Sequence, residues 1–173
     1  MIFTVPTIGS PQVLSPLPQR QFVGDDERIA FSSQVKNITN QIRTCEIFPS
    51  FEKAGPRKHI FYDPERTRVA IVTCGGLCPG LNDVIKGLVS VLHMEYNVSD
   101  VFGIRYGYKG LTQGSSFPPI ALDVITVDKI HNQGGTILGS SRENQDPKEM
   151  VDELISLDIN ILFCIGGDGT LRG

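Results

Sequence analysis

The chain has 173 residues, 40% of them hydrophobic and 20% charged, with a formal net charge of −3. That length buries a sizeable core and that composition is globular; the acidic balance argues against non-specific nucleic-acid binding, and no apolar run reaches the length of a membrane-spanning helix. The four cysteines do not suggest a disulfide framework, since Cys164 lies in an apolar run and Cys74 and Cys78 flank a glycine turn without a second pair or a nearby histidine for zinc. This usage predicts a reducing compartment. Residues 1–6 lack the basic start and long apolar core of a secretory signal, which makes the cytoplasm the expected location.

Residues 1–20 carry Pro6, Pro11, Pro16 and Pro18 among small polar residues and predict an extended or disordered lead-in. An irregular extension is expected over residues 1–50, with Asp25-Asp26-Glu27 as a solvated acidic cluster. Residues 35–51 hold enough Ile, Val and Phe to pack, without a clean period. Residues 60–62 are strand-like and Asp63-Pro64 forms a turn. From Arg68 the pattern becomes regular. An apolar run over residues 68–73 predicts a buried strand, closed by Cys74-Gly75-Gly76-Leu77-Cys78-Pro79-Gly80. Leu81, Val84, Ile85, Leu88, Val89 and Leu92 then recur at helical spacing. Residues 101–104 are a second strand, followed by the cationic, aromatic turn Arg105-Tyr106-Gly107-Tyr108-Lys109-Gly110.

Thr126 is expected to cap a short helix over residues 127–133, stopped by Gly134-Gly135, with a short strand at 136–138 leading into Gly139-Ser140-Ser141-Arg142. Asp146-Pro147-Lys148-Glu149 is a helix start: an Asp cap, a Pro in the first turn and a Glu at the third helical position. The last apolar run, residues 161–165, predicts a strand buried on both faces that runs into Gly166-Gly167-Asp168-Gly169-Thr170. This alternation predicts an α/β fold over residues 51–173: a doubly wound, Rossmann-like parallel sheet with right-handed crossovers.

Two strands thus end in glycine-rich loops, and in an open parallel sheet such loops gather at one edge. Backbone N–H groups there can approach an anion without interference from Cβ, and a following helix N-terminus adds its dipole. Two loops of this kind imply a polyphosphate ligand. Gly76 and its neighbours are placed to cradle terminal phosphates. Asp168 puts a carboxylate where a Mg2+ escorting phosphates would sit, and Thr170 adds a hydroxyl that could instead cap the next helix. Arg105, Lys109, Lys86 and Arg172 supply nearby positive charge, each read as a solvated surface residue.

Three motifs occur in order: Gly75-Gly76-Leu77-Cys78-Pro79-Gly80-Leu81-Asn82, Gly134-Gly135-Thr136-Ile137-Leu138-Gly139-Ser140-Ser141-Arg142 and Gly166-Gly167-Asp168-Gly169-Thr170. Over residues 52–173 the chain resembles 6-phosphofructokinases, and its first motif resembles the plant-type, ATP-dependent branch. The resemblance implies transfer of the γ-phosphoryl group of ATP to the 1-hydroxyl of fructose 6-phosphate in glycolysis, with Mg2+. It places Arg142 as the arginine bridging the transferring phosphoryl group, Asp168 as the Mg2+-linked carboxylate and Tyr108 beside the nucleotide base. Gly76, Gly167, Gly169 and Thr170 fall in the nucleotide-binding loops. At Gly169, glycine goes with ATP and aspartate with pyrophosphate, because a carboxylate would crowd and repel the α-phosphate. The resemblance also implies an allosteric homo-oligomer, a tetramer in the family, with no nucleic-acid or membrane partner.

One departure is large. The family's catalytic base comes from a Thr-Ile-Asp-Asn-Asp-type motif, which this sequence lacks, as it lacks the residues that bind fructose 6-phosphate. The chain is therefore expected to be an N-terminal fragment holding the nucleotide half of the site, inactive alone, with the last strand partly uncovered. The alternatives are a non-catalytic modulator of full-length subunits, a pyrophosphate-dependent enzyme, or a kinase of the NAD kinase or diacylglycerol kinase type. That last class shares Gly-Gly-Asp-Gly-Thr but is not expected to share the other two motifs.

Overall fold

The computed structural model describes residues 7–18, 22–44, 49–112 and 114–172. Met1–Tyr62 and Asp63–Gly173 make separate compact units. In the first, β1 (Val13–Leu14) pairs antiparallel with β4 (His59–Ile60), and β2 (Arg28–Ala30) pairs antiparallel with β3 (Ser50–Glu52). Residues 50–60, most of which the sequence pattern assigns to the α/β region, thus pair within the first unit. The stretch with no legible period divides into α1 (Val35–Thr44) and β3. Val35, Ile38 and Ile42 do stand at helical spacing, but a helix and a strand in one window blur both periods. The described part of the proline-rich lead-in is irregular apart from β1, its paired piece. Residues 1–6 and 19–20 of it lie outside the described residues.

The second unit is built on β5 (Arg68–Thr73), α2 (Leu81–Met94), β6 (Asp100–Ile104), β7 (Ile120–Ala121), α3 (Pro147–Ser156) and β8 (Ile161–Ile165). The sheet order is β7-β6-β5-β8, with β6, β5 and β8 parallel and β7 antiparallel at one edge. β5 sits between two partners. Its alternating side chains feed both faces: Val69 and Ile71 join Ile85, Val89 and Leu92 of α2, while Ala70 and Val72 join Met150 of α3. Each fully buried aliphatic side chain stabilises by about 1.5–3 kcal/mol. The doubly covered sheet expected from the sequence is therefore present, with helices on both faces.

α3 starts as its sequence predicts, with Asp146 accepting from the Lys148 N–H at 2.9 Å and Pro147 in the first turn. Three local expectations are corrected. Residues 127–133 form turns and a short 3-10 segment, Ile130–Asn132, rather than an α-helix. Thr126 does not cap it; its hydroxyl donates back to the Asp123 carboxylate at 2.7 Å. Residues 136–138 form a turn rather than a strand, because β7 takes the place beside β6 and Leu138 packs into the space left by Gly103. β8 is half-buried, with Cys164 exposed: it is not buried on both faces as its apolar run predicts, and is partly uncovered as expected for the last strand.

Candidate nucleotide site at the carboxyl edge of the sheet

Because β5, β6 and β8 are parallel, the loops after them emerge at one edge. The ladder continues past the strands, where the Cys74 N–H donates to Ile165 O at 2.9 Å. The 139–142 loop is drawn to the same edge. The Gly75 N–H donates to Ser141 O at 3.2 Å, the Ser140 hydroxyl donates to Gly75 O, and the Thr73 hydroxyl donates to Gly139 O at 2.7 Å. Gly107, at φ +63°, lies under this loop. A Cβ there would sit 2.8 Å from the Ser141 nitrogen, so only glycine permits the approach.

Together these loops enclose a cavity of about 750 Å³ lined by Gly75, Gly76, Tyr108, Arg142, Gly167, Gly169, Thr170 and Arg172, among others. Six of the seven residues expected from the sequence to bind the nucleotide thus meet around one space. Asp168, the seventh, stands exposed between two lining glycines. Gly76 faces Arg142 closely, since a Cβ on it would lie 3.2 Å from Nη2. Arg142 has two acidic residues close to it in sequence, Glu143 and Asp146, and pairs with neither. Glu143 pairs with Lys109 at 3.2 Å and Asp146 caps α3, and among the described residues Arg142 makes no ion pair.

Thr170 is buried, and its hydroxyl has no hydrogen-bond partner among the described residues. It sits against Gly166, where a Cβ would come within 2.0 Å of Oγ1. Tyr108 is held by its hydroxyl, which donates to Thr170 O at 2.8 Å. Burial, then its contact with Cys164, pushes the Tyr108 phenol above its ordinary range. Burial likewise raises the Cys74 thiol from 9.0 to about 11. Both groups therefore stay neutral at physiological pH, and neither opposes an anion in the cavity.

A Mg2+ is implied by the phosphate chemistry, and the residues suit it. No group of three His, Cys, Asp or Glu side chains gathers among the described residues. Mg2+ needs none when one or two carboxylates and the substrate phosphates share it, and Asp168 is a carboxylate without an ion pair among the described residues.

Sequence reasoning missed two contributors. Asn82 is a buried amide clamp on α2: its Nδ2 donates to Gln133 O at 3.0 Å and its Oδ1 accepts from the Ile137 N–H at 2.9 Å. The signal was a polar residue on an otherwise apolar helix face. Arg172 lines the cavity, whereas the other three cations read as surface residues are engaged elsewhere. Lys109 pairs with Glu143, Arg105 lies over the Tyr106 ring, and Lys86 contacts Asp128 and His131.

The sequence profile of the family described as Phosphofructokinase matches residues 68–173, the stretch from β5 to the third glycine loop. The chain belongs to the phosphofructokinase family. An ATP-dependent 6-phosphofructokinase of Entamoeba histolytica is 56% identical over 122 residues, covering 70% of this chain and 28% of the relative. One from Arabidopsis thaliana is 44% identical, covering 71% and 25%. Among solved structures, a Pichia pastoris phosphofructokinase in the T-state is similar with a TM-score of 0.54 and 26% identity, covering 73% of this chain and 12% of that one. The chain thus spans between a quarter and a third of the length of these curated phosphofructokinases.

Proposed function

We propose that this chain carries the nucleotide-binding part of an ATP-dependent 6-phosphofructokinase, an enzyme that moves the γ-phosphoryl group of ATP to the 1-hydroxyl of fructose 6-phosphate in glycolysis. The observation carrying this reading is the Arg142 guanidinium over Gly76, without an ion pair among the described residues, in a cavity walled by both glycine loops. Phosphoryl transfer depends mainly on positioning and charge neutralisation. A planar guanidinium contacts two phosphate oxygens at once. The glycine loops present backbone N–H groups to the phosphates, the Thr170 hydroxyl is free to donate, and Tyr108 offers its ring beside the base. Asp168 would hold Mg2+, which when bound neutralises charge on the phosphates. Glycine rather than aspartate at position 169 leaves no carboxylate to repel the α-phosphate, which fits ATP as donor rather than pyrophosphate.

The plant-type assignment rests on the Cys-Gly-Gly-Leu-Cys-Pro-Gly loop, and a cytoplasmic, oligomeric enzyme is the matching context. The Thr-Ile-Asp-Asn-Asp-type motif expected to supply the base for the sugar hydroxyl proton does not occur in this sequence, so the reading assigns this stretch the binding of the nucleotide and not the turnover.

Titration calorimetry tests the site. The chain is expected to bind Mg-ATP more tightly than pyrophosphate, and Arg142→Ala to weaken Mg-ATP by about tenfold or more, the worth of one charge-assisted contact. Tighter binding of pyrophosphate, or an Arg142→Ala variant with unchanged affinity, would overturn the reading.

A further inference from the structure

The cavity contains a second guanidinium. Arg172 follows Thr170 by two residues, in the short 3-10 segment Thr170–Arg172. The segment is fixed by backbone bonds from Thr170 N to Gly167 O at 2.9 Å and from Leu171 N to the same oxygen at 3.3 Å. Tyr108 holds it from the other side through Thr170 O. Arg172 is exposed, lines the cavity and makes no ion pair among the described residues. Its neighbour Leu171 is 80% exposed, so the segment is turned by its backbone and not by burial of that side chain.

The charge balance of the wall needs an explanation. Its acidic member, Glu143, is tied to Lys109, while Arg142 and Arg172 both stand without a counter-ion from the protein among the described residues. Two like charges on one cavity repel unless the ligand is anionic. One guanidinium can serve one phosphate by its bidentate fork. A second is matched by a ligand with more than one phosphate, since a polyphosphate tail keeps excess negative charge even with a divalent cation on it.

We infer that Arg172 is a second contact for the phosphate tail, and that with Arg142 it makes the cavity select a nucleoside triphosphate over the monophosphate. This rests on the proposed nucleotide site. The two guanidinium groups approach the tail from different loops, one after the 136–138 turn and one after β8. The geometry of those loops, rather than either residue alone, sets how many phosphates are read.

The 173-residue chain is titrated with Mg-ATP, Mg-ADP and AMP as wild type, Arg172→Ala, Arg172→Lys and Arg142→Ala, with circular dichroism as a check on folding. Arg172→Ala is expected to weaken Mg-ATP by about tenfold while leaving AMP within about twofold, and to flatten the salt dependence of ATP binding. Arg172→Lys, which keeps the charge and loses the fork, should fall between. Unchanged Mg-ATP affinity in a folded Arg172→Ala variant overturns this inference. If Arg142→Ala still weakens ATP there, the kinase reading stands without it. An equal loss for all three nucleotides also overturns it, as that would place Arg172 against the nucleoside. Wild-type chain that is folded yet binds none of the three overturns the site and this inference with it.

Discussion

At the scale of single residues, the site separates positions where space is closed from positions where it is open. Gly166 has no room, with a Cβ meeting Thr170 and the Cys74 carbonyl, whereas Gly169 has nothing within 4 Å of one. Gly169→Asp is therefore expected to leave the thermal midpoint nearly unchanged while weakening Mg-ATP binding by about tenfold or more through carboxylate–phosphate repulsion. Calorimetry and thermal denaturation on the same samples check both halves. The thiols differ in the same local way. Cys74 is buried and its pKa is raised to about 11, while Cys78 is exposed in the glycine loop. Iodoacetamide at pH 8 should label Cys78 well before Cys74, as read by peptide mass spectrometry. Because the folded pKa of Cys74 lies above its ordinary 9.0, its contribution to stability is fully present below about pH 9 and lost as pH rises through about 11. A denaturant midpoint that falls over that window, and falls less in Cys74→Ala, is the expected signature.

At the scale of elements, α2 supports the site in two ways. Its apolar face covers one side of β5, and Asn82 fastens the 133–137 turn that leads into the Arg142 loop. Removing the amide takes the hydrogen-bond partner from the Gln133 carbonyl and from the half-buried Ile137 N–H, which costs about 1–3 kcal/mol. Asn82→Ala should lower the urea midpoint accordingly and weaken Mg-ATP binding, although Asn82 is not among the residues lining the cavity. A variant with full stability but lost binding would show that Asn82 acts on the ligand directly. α3 makes a milder prediction. Asp146→Ala removes a cap worth about 1 kcal/mol at a residue that does not itself line the cavity, although Gln145 and Pro147 beside it do, so stability should fall more than binding does.

At the scale of the whole molecule, every residue proposed to touch the nucleotide lies between β5 and the segment after β8, in the unit Asp63–Gly173. Purified chain should bind Mg-nucleotide and show no fructose 6-phosphate kinase turnover in a coupled assay, because binding without a positioned acceptor and base forgoes the proximity contribution of roughly 7–11 kcal/mol. Turnover in the ordinary kinase range of about 1–100 per second would place a base within this chain and overturn that division of the site. β8 bears on handling: its half-exposed apolar residues and one-sided pairing leave backbone groups that a neighbouring chain can pair with. Association should therefore grow with concentration, measurable by sedimentation.

The sequence by itself determined the strands and helices whose apolar periods are long. β5 is buried along its apolar run, α2 buries Leu81, Ile85, Val89 and Leu92, α3 buries Met150 and β8 is half-buried, and Asp146-Pro147 sets the start of α3 through side-chain chemistry local to it. It also placed the two glycine loops at one edge of the sheet, because loops after parallel strands gather there. What only the tertiary structure decided is what depends on partners distant in the chain. Residues 136–138 are β-like in composition but become a turn once β7 occupies the edge of β6. Thr126 has capping chemistry but finds Asp123. The cations divide in the same way: the sequence reads Arg172, Lys109 and Lys86 alike as solvated surface residues, whereas Arg172 lines the cavity and Lys109 and Lys86 pair elsewhere. Whether a charge faces a cavity or a carboxylate is fixed by which loops the parallel sheet brings to one edge, and a one-dimensional pattern carries no record of that.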